Sequence, residues 1–549
     1  MLILCIFQIL SACEQTDNTI NQHIQENTDE DITYQHPGFE KYKPSIEIHL
    51  VKETNKSLKD LLEALPGETL DDNRWSRLYK QMLGIEIKYD WKAEGGLYYQ
   101  KLGNALASGN LPDVVLVDAQ QLRELSNADL IQDLTVVYDE YTTPFTKEIM
   151  SQEGTGPLES ATLNGRLMGI PKVGSSIEGA QFLWIRTDWM ERLGIDPPKN
   201  MKDVLGISKA FTLDDPDQNG IDDTYGLAIT QHLWDPVAGL SGFMAGYKAY
   251  PKIWIEDGSG QLVFGGIQPE VKEALKVLQD LYRNAQLDSE FVFKDGNKVK
   301  ELVDTGKIGM FYGEQWASFW AGSSRNNDPN AQWQAYPIVS ESEELTKVPL
   351  PFTTNKFYVV KKGYEYPEAI IKMTNLHLEK NWGETAEYET YYSTPYPVWQ
   401  LSPVIPFPAL KNLEAYQQLE KARVTGDSSD LQPEAKSIQR VIDNYLVNND
   451  ESGWGWERTY GPTGAFSIMD QYVNNDQLLY DRFVGAPTPT MIEMKQIMDN
   501  FMHDTFVNII LGRPIDEFDE FVEDWKSMGG TKMTEEVNQW YLERGHINE

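Results

Sequence analysis

Apolar and polar residues alternate along Ile46-Glu47-Ile48-His49-Leu50-Val51 and again along Ile85-Glu86-Ile87-Lys88-Tyr89. A period of two sends successive side chains to opposite faces, so both runs predict β-strands. Residues 73–83 and 98–106 read as helices. The turn Ser108-Gly109-Asn110-Leu111-Pro112-Asp113 then leads into Val114-Val115-Leu116-Val117, which is apolar without alternation. A short run of that kind, rich in β-branched residues and bounded by turns, predicts a buried strand of a parallel sheet. Strand–helix–strand alternation indicates an α/β lobe.

Near Gly169-Ile170-Pro171 the chain is expected to leave this lobe. Phe182-Leu183-Trp184-Ile185-Arg186 reads as a crossing strand and 188–193 as a helix closed by Gly194. A second α/β stretch continues to about residue 336. Further crossings are expected near Pro337 and at Phe357-Tyr358-Val359-Val360. The rest is helical, and near its end Phe518, Phe521, Val522 and Trp525 share one face at i, i+3, i+4, i+7 spacing. These boundaries assign 42–168 with about 337–362 to a first lobe, and 169–336 with about 363–549 to a second.

The N-terminus adds a location. Its apolar run, MLILCIFQIL, is far shorter than the ~20 residues that span a bilayer. It has the length of a signal-peptide core, although no Lys or Arg precedes it. Leu10-Ser11-Ala12-Cys13 resembles the bacterial lipoprotein lipobox. That resemblance implies removal of residues 1–12 and diacylation of the Cys13 sulfur, palmitate being such a chain. Residues 13–41, polar and poor in apolar side chains, are expected to form a disordered tether. Cys5 and Cys13 are the only cysteines, so the body beyond residue 13 has no disulfide, thiolate zinc site or Cys nucleophile.

A formal net charge of −36 repels phosphate backbones and anionic lipid alike. Nucleic acid is thereby excluded as a partner, and the lipid anchor is left as the membrane contact. With 15 Trp and 27 Tyr, the chain has more flat, hydrogen-bonding side chains than a core needs. Such side chains suit polar ligands with apolar faces.

Several segments, taken in order, carry a family likeness: Ser108-Gly109-Asn110-Leu111-Pro112-Asp113-Val114-Val115, Gly169-Ile170-Pro171, Leu183-Trp184-Ile185-Arg186-Thr187-Asp188-Trp189 and Lys307-Ile308-Gly309-Met310-Phe311. They resemble the extracellular solute-binding proteins of ABC importers, family 1. Gly485-Ala486-Pro487-Thr488-Pro489-Thr490-Met491, Asp516-Glu517-Phe518 and Val537-Asn538-Gln539-Trp540-Tyr541 resemble its long lipoprotein branch in Gram-positive bacteria. The resemblance implies a two-lobed α/β fold of the periplasmic-binding-protein type, with a mixed sheet flanked by helices in each lobe and an extra helical C-terminal region. It also implies hinge closure on a ligand, most often an oligosaccharide, and ABC permease subunits as partners. The protein is expected to act as a monomer, lipid-anchored on the outer face of the cell membrane.

Asp215-Pro216-Asp217-Gln218-Asn219-Gly220-Ile221-Asp222-Asp223 places oxygen donors where an EF-hand loop has positions 1, 3, 5 and 9, with Gly220 at 6 and the Ile221 carbonyl at 7. Alternate oxygens around a sharp turn are what Ca²⁺ needs to collect six or more ligands. Asp215, Asp217, Asn219, Ile221 and Asp223 are therefore candidate ligands of a structural calcium. Gly226 stands at position 12, where an EF-hand has its bidentate Glu, so another donor must close the shell.

Aromatics outside periodic core positions are candidate sugar platforms: Trp234, Trp316, Trp320, Trp399 and Trp454. In the resembled family the Trp after the Gly-x-x turn commonly lines the cleft, which here is Trp316. The loop after the Pro-Asp-Val-Val strand also faces it, nominating Asp118. Trp189, Trp525 and Trp540 lie on helical faces and are assigned to the core, while Trp184 fits either place. No G-x-S-x-G, H-E-x-x-H or Walker A motif is present, and the seven His lack ligand spacing. A binding protein is expected rather than an enzyme. The competing class is a glycoside hydrolase or lyase, which needs only two carboxylates.

Overall fold

The computed structural model describes residues 36–545 except 343 and 394. Residues 1–35, with the signal segment, Cys13 and most of the tether, lie outside the described residues. The first alternating run forms β1 (Ile46–Thr54), where Ile46, Ile48 and Leu50 are buried and Glu47 is exposed between them. It pairs in parallel with β2 (Ile85–Glu94). Seven further strands position the site: β3 (Val114–Asp118), β4 (Ile170–Pro171), β5 (Phe182–Arg186), β6 (Tyr225–Leu227), β7 (Ile308–Gly313), β8 (Trp333–Tyr336) and β9 (Lys356–Val360).

β9 lies between β3 and β4 and runs antiparallel to both, which makes β3 and β4 parallel to each other. The second sheet has the order β8-β5-β7-β6, with β5 antiparallel to its two neighbours and β6 parallel to β7. The first lobe thus has a parallel pair and an antiparallel three-stranded sheet, and the second a mixed sheet, all among helices. This is within the expected two-lobed α/β class, although the first lobe's sheet is not the mixed one expected. Three local expectations change. Val114–Val117 pairs antiparallel with β9, so its unalternating run reports burial rather than parallel pairing. Phe182–Arg186 and Phe357–Val360 are interior strands instead of crossings, and every residue of β5 is buried.

The first hydrophobic core draws on residues 46–173 and 357–409, the second on 177–350 and 413–537. Residues 337–350 therefore pack with the second lobe and 363–409 with the first, the reverse of the sequence assignment. Helix Ala369–Trp382 shows why: it is buried on nearly every side and has no polar face to reveal which sheet it covers. Its Lys372 Nζ donates to the Glu40 carbonyl at 2.9 Å, and Asn375 Nδ2 to the Gly38 carbonyl at 3.3 Å. A Cβ on Gly38 would fall 2.1 Å from the Tyr141 carbonyl oxygen. Residues 36–41, expected in the tether, are folded onto the first lobe.

The chain passes between the cores three times, near 173–177, 350–357 and 409–413. These crossings are laced together. Gly174 N donates to Thr354 Oγ1 at 3.0 Å, the Ser176 and Thr353 hydroxyls lie 3.3 Å apart, and Ser175 Oγ donates to the Ala409 carbonyl at 2.6 Å. Gly174 is required by this contact, because a Cβ there would lie 2.3 Å from Thr353 Oγ1. A strap of short crossings between two separate cores is the geometry of a hinge. Among the described residues no helix is long and apolar enough to cross a membrane.

Candidate functional site

Open α/β sheets bind ligands outside the carboxyl ends of their strands. β3 ends at Asp118, β4 ends two residues before the first crossing, and β9 begins at Lys356 as the second crossing ends. That edge of the first sheet therefore faces the strap. In the second sheet Gly313, the end of β7, pairs with Phe182 at the start of β5, just after the first crossing. The segment Glu314-Gln315-Trp316 is thereby delivered to the strap from the other side. The two edges face the strap from opposite lobes and are taken as the two walls of the candidate site.

Trp316 is half-buried, and its Nε1 donates to Glu314 Oε2 at 2.7 Å. Burial pushes the Glu314 carboxyl up to about 7; the Trp316 bond opposes this and the charge of Glu178 adds to it. Glu178, from the first crossing, is itself raised by burial, against the pull of the Lys411 ammonium and of Asn412. Lys411 Nζ bonds Glu434 Oε1 at 2.7 Å and lies 5.7 Å from the Tyr392 ring centroid. The Tyr392 ring is stacked with Trp399 at 6.4 Å and 24°. Beside Trp399, the Gln400 and Ser402 carbonyls accept from Lys52 Nζ at 3.1 and 2.9 Å. One track of aromatic and charged groups thus runs from Trp316 on the second wall to Lys52 on the first.

Of the residues singled out by sequence, Trp316 and Trp399 meet on this track. Asp118 stands at the first wall but caps helix Ala119–Asn127: its Oδ1 accepts from Gln121 N at 2.9 Å. The Trp234 loop is tied to the second wall by Glu314 N donating to the Pro236 carbonyl at 2.9 Å, while the ring packs edge-on against Phe506 at 6.2 Å. Trp320 is turned inward, 5.1 Å from Phe311 in a T-shaped contact. Trp454 is a core residue rather than a platform: it is 2% exposed and flanked by the Arg325 and Arg458 guanidinium groups at 5.4 and 5.6 Å. The GWGWE segment resembles a loop in sequence but folds as helix Trp454–Tyr460. Glu178, Lys411 and Tyr392 were missed because no local pattern links such distant segments. Glu314 precedes Trp316 by two residues, and that neighbourhood was the available signal.

The Asp-rich loop is ordered by its own amides. Asp215 Oδ1 and Oδ2 accept from Asn219 N and Gly220 N, each at 3.1 Å, and Gly220 has φ 78°. Lys307 pairs with Asp223 and lies 4.0 Å from Asp217. Burial and the neighbouring Asp215 push the Asp217 carboxyl up, whereas the Lys307 bond holds Asp223 down. Converging carboxylates served by one ammonium are a donor set suited to a hard cation, although no cluster of three such side chains closes around a common point among the described residues. Gly226 cannot supply a twelfth-position ligand, since a Cβ there would lie 2.2 Å from the Ser208 carbonyl oxygen.

Comparison with known proteins places these features in a family. The chain is 27% identical over 236 residues to the polygalacturonan/rhamnogalacturonan-binding protein YtcQ of Bacillus subtilis, covering 43% of this chain and 45% of YtcQ, less than half of that relative's length. It is 23% identical over 513 residues to lipoprotein LipO of the same species, 89% of this chain and 92% of LipO. Among solved structures, an ABC-transporter-associated solute-binding protein of Bifidobacterium longum infantis, described as HMO-binding, superposes with a TM-score of 0.60 at 13% identity, over 90% of this chain and 98% of that one. Residues 55–375 match the family described as bacterial extracellular solute-binding protein. With its two α/β lobes and laced crossings, the chain belongs to that family.

Proposed function

We propose that the protein is the substrate-binding component of an ABC importer, capturing an oligosaccharide between its lobes and delivering it to separate permease subunits. The observation that carries this reading is the track from Trp316 through Tyr392 and Trp399 to Lys52, which bridges both walls beside a three-stranded hinge. Half-buried rings offer faces to sugar C–H surfaces, and the charged groups between them suit hydroxyls. The names of YtcQ and of the Bifidobacterium protein point to the same ligand class. Cys13 carries the lipid that holds the protein at the outer face of the membrane. Asp215, Asp217, Asn219, the Ile221 carbonyl and Asp223 hold a Ca²⁺ that braces the loop in place of the Lys307 ammonium. A thermal-shift screen against oligosaccharides tests the reading, because a ligand bound only by the folded state raises the melting temperature. A sugar should raise it and be recovered unchanged; cleavage of the sugar, or a response only to peptides, overturns the reading.

A further inference from the structure

Asp118, Lys356 and Lys172 form a row across the carboxyl edge of the first sheet. Lys356 stands directly opposite Asp118. The β9–β4 register, carried one residue beyond Pro171, sets Lys172 opposite Lys356, and Lys172 N donates to the Lys356 carbonyl at 2.8 Å. Residues directly opposite in antiparallel strands share a face, with Cβ atoms about 5 Å apart, and like charges there repel. Lys172 and Lys356 are half-buried, and among the described residues neither ammonium makes an ion pair or a side-chain hydrogen bond. Asp118, the acid in the row, is committed to its helix cap and forms no ion pair with Lys356.

Lys52, on β1 outside this sheet, lies close enough to Lys172 for the two charges to interact. Its ammonium is held by two neutral carbonyls beside Trp399, and burial together with the charge of Lys172 pushes its pKa down to about 8. Lys172 is likewise lowered by burial and by Lys356. Lys52 and Lys172 are desolvated cations without a carboxylate partner, and Lys172 carries the added repulsion of Lys356. This destabilises the free protein, and they sit in a chain of net charge −36. Lys172 and Lys356 stand at the sheet edge that faces the strap, and Lys52 is held beside Trp399. An anion there would restore each missing partner.

We propose that this lysine row is the anion-binding wall of the cleft, and that the captured oligosaccharide is an acidic one bearing carboxylate or sulfate groups. The proposal rests on the reading of the cleft as a sugar site. Adjacent strands lie about 4.8 Å apart, which brings Lys172 and Lys356 within reach of a single anionic group.

Calorimetric titration of the full chain with a short oligogalacturonide, its methyl ester, a sulfated oligosaccharide and a neutral fructo-oligosaccharide tests it. The acidic sugar should bind, and esterification should weaken it by about 10-fold or more, the value of a charged hydrogen bond. Lys172→Met and Lys356→Met should each weaken the acidic sugar while raising the melting temperature of the free protein, which shows that they fold. Preference for the sulfated sugar over the uronate supports the row and identifies its anion as sulfate. Tight binding of the neutral sugar with both acidic ones refused overturns the proposal and leaves the importer reading intact. Acidic-sugar binding that ignores both lysine substitutions also overturns it. Refusal of every glycan overturns both readings.

Discussion

The two walls are cut from the sheet edges that face the strap, one in an antiparallel sheet and one in a mixed sheet, and they carry different chemistry. The first wall presents Lys52, Lys172 and Lys356, with no carboxylate paired to any of them. The second presents Trp316, its indole nitrogen fixed by a carboxyl that titrates near neutrality. One wall offers point charges and the other an oriented flat face. A ligand that satisfies both must lie between them.

The harshest way to break this comparison is to part the walls. Gly174→Val puts side-chain atoms where Thr353 Oγ1 already stands, 2.3 Å from any Cβ. It should cost about 1–3 kcal/mol of stability by overpacking and also disturb closure. Denaturant melts together with ligand titration check it; wild-type stability with unchanged binding would mean that the strap is not the hinge.

Removing the second wall's platform should cost slightly less. Trp316→Ala is expected to weaken sugar binding by about 30-fold, the scale of an aromatic hot spot, and to abolish the ligand-induced fluorescence change without unfolding the protein. Retained affinity would move Trp316 from the site into the core.

Glu314 sharpens the contrast through pH. Its folded carboxyl titrates near 7 because of burial, whereas the unfolded chain releases that proton near the ordinary value of 4.5. Between those values the folded state holds more protons, so this group's contribution to stability declines as pH rises from 4.5 to 7. Glu314→Gln should melt with the parent near pH 4 and above it at pH 8. An unchanged difference across that range would contradict the burial of the carboxyl.

The smallest effect is expected away from both walls. EDTA should lower the melting temperature by roughly 1–3 °C, and Asp217→Ala should remove that response while leaving sugar affinity unchanged. An EDTA response that persists in the variant would place the cation elsewhere.

The sequence made one wall legible and hid the other. Local periodicity located β1 and β2, an unbroken apolar run located β3, and Gly194 closes helix Thr187–Leu193 as expected. Trp316 was nominated because it follows, within a few residues, the strand and Gly-x-x turn of the resembled family. The lysine row was invisible: 184 positions separate Lys172 from Lys356, and only the antiparallel register sets them side by side. Lobe membership failed for a related reason, since Ala369–Trp382 is buried nearly all round and its sequence does not record which sheet it covers. Trp454 misled because glycines flank it, although the segment is helical and its ring is enclosed.

Capture between closing walls is the central claim. The chain beyond Cys13 contains no cysteine, so labels can be placed cleanly in a background with Cys5 and Cys13 replaced by Ser. Val136→Cys and Phe293→Cys, exposed positions on the first and second lobes at 73% and 71%, would carry spin labels for an electron–electron distance measurement. Closure predicts that the sugar giving the largest thermal shift moves and narrows the interlobe distance distribution, and that Trp316→Ala at the same sugar concentration suppresses the change. A distribution that stays the same when the sugar is fully bound would contradict capture between the lobes.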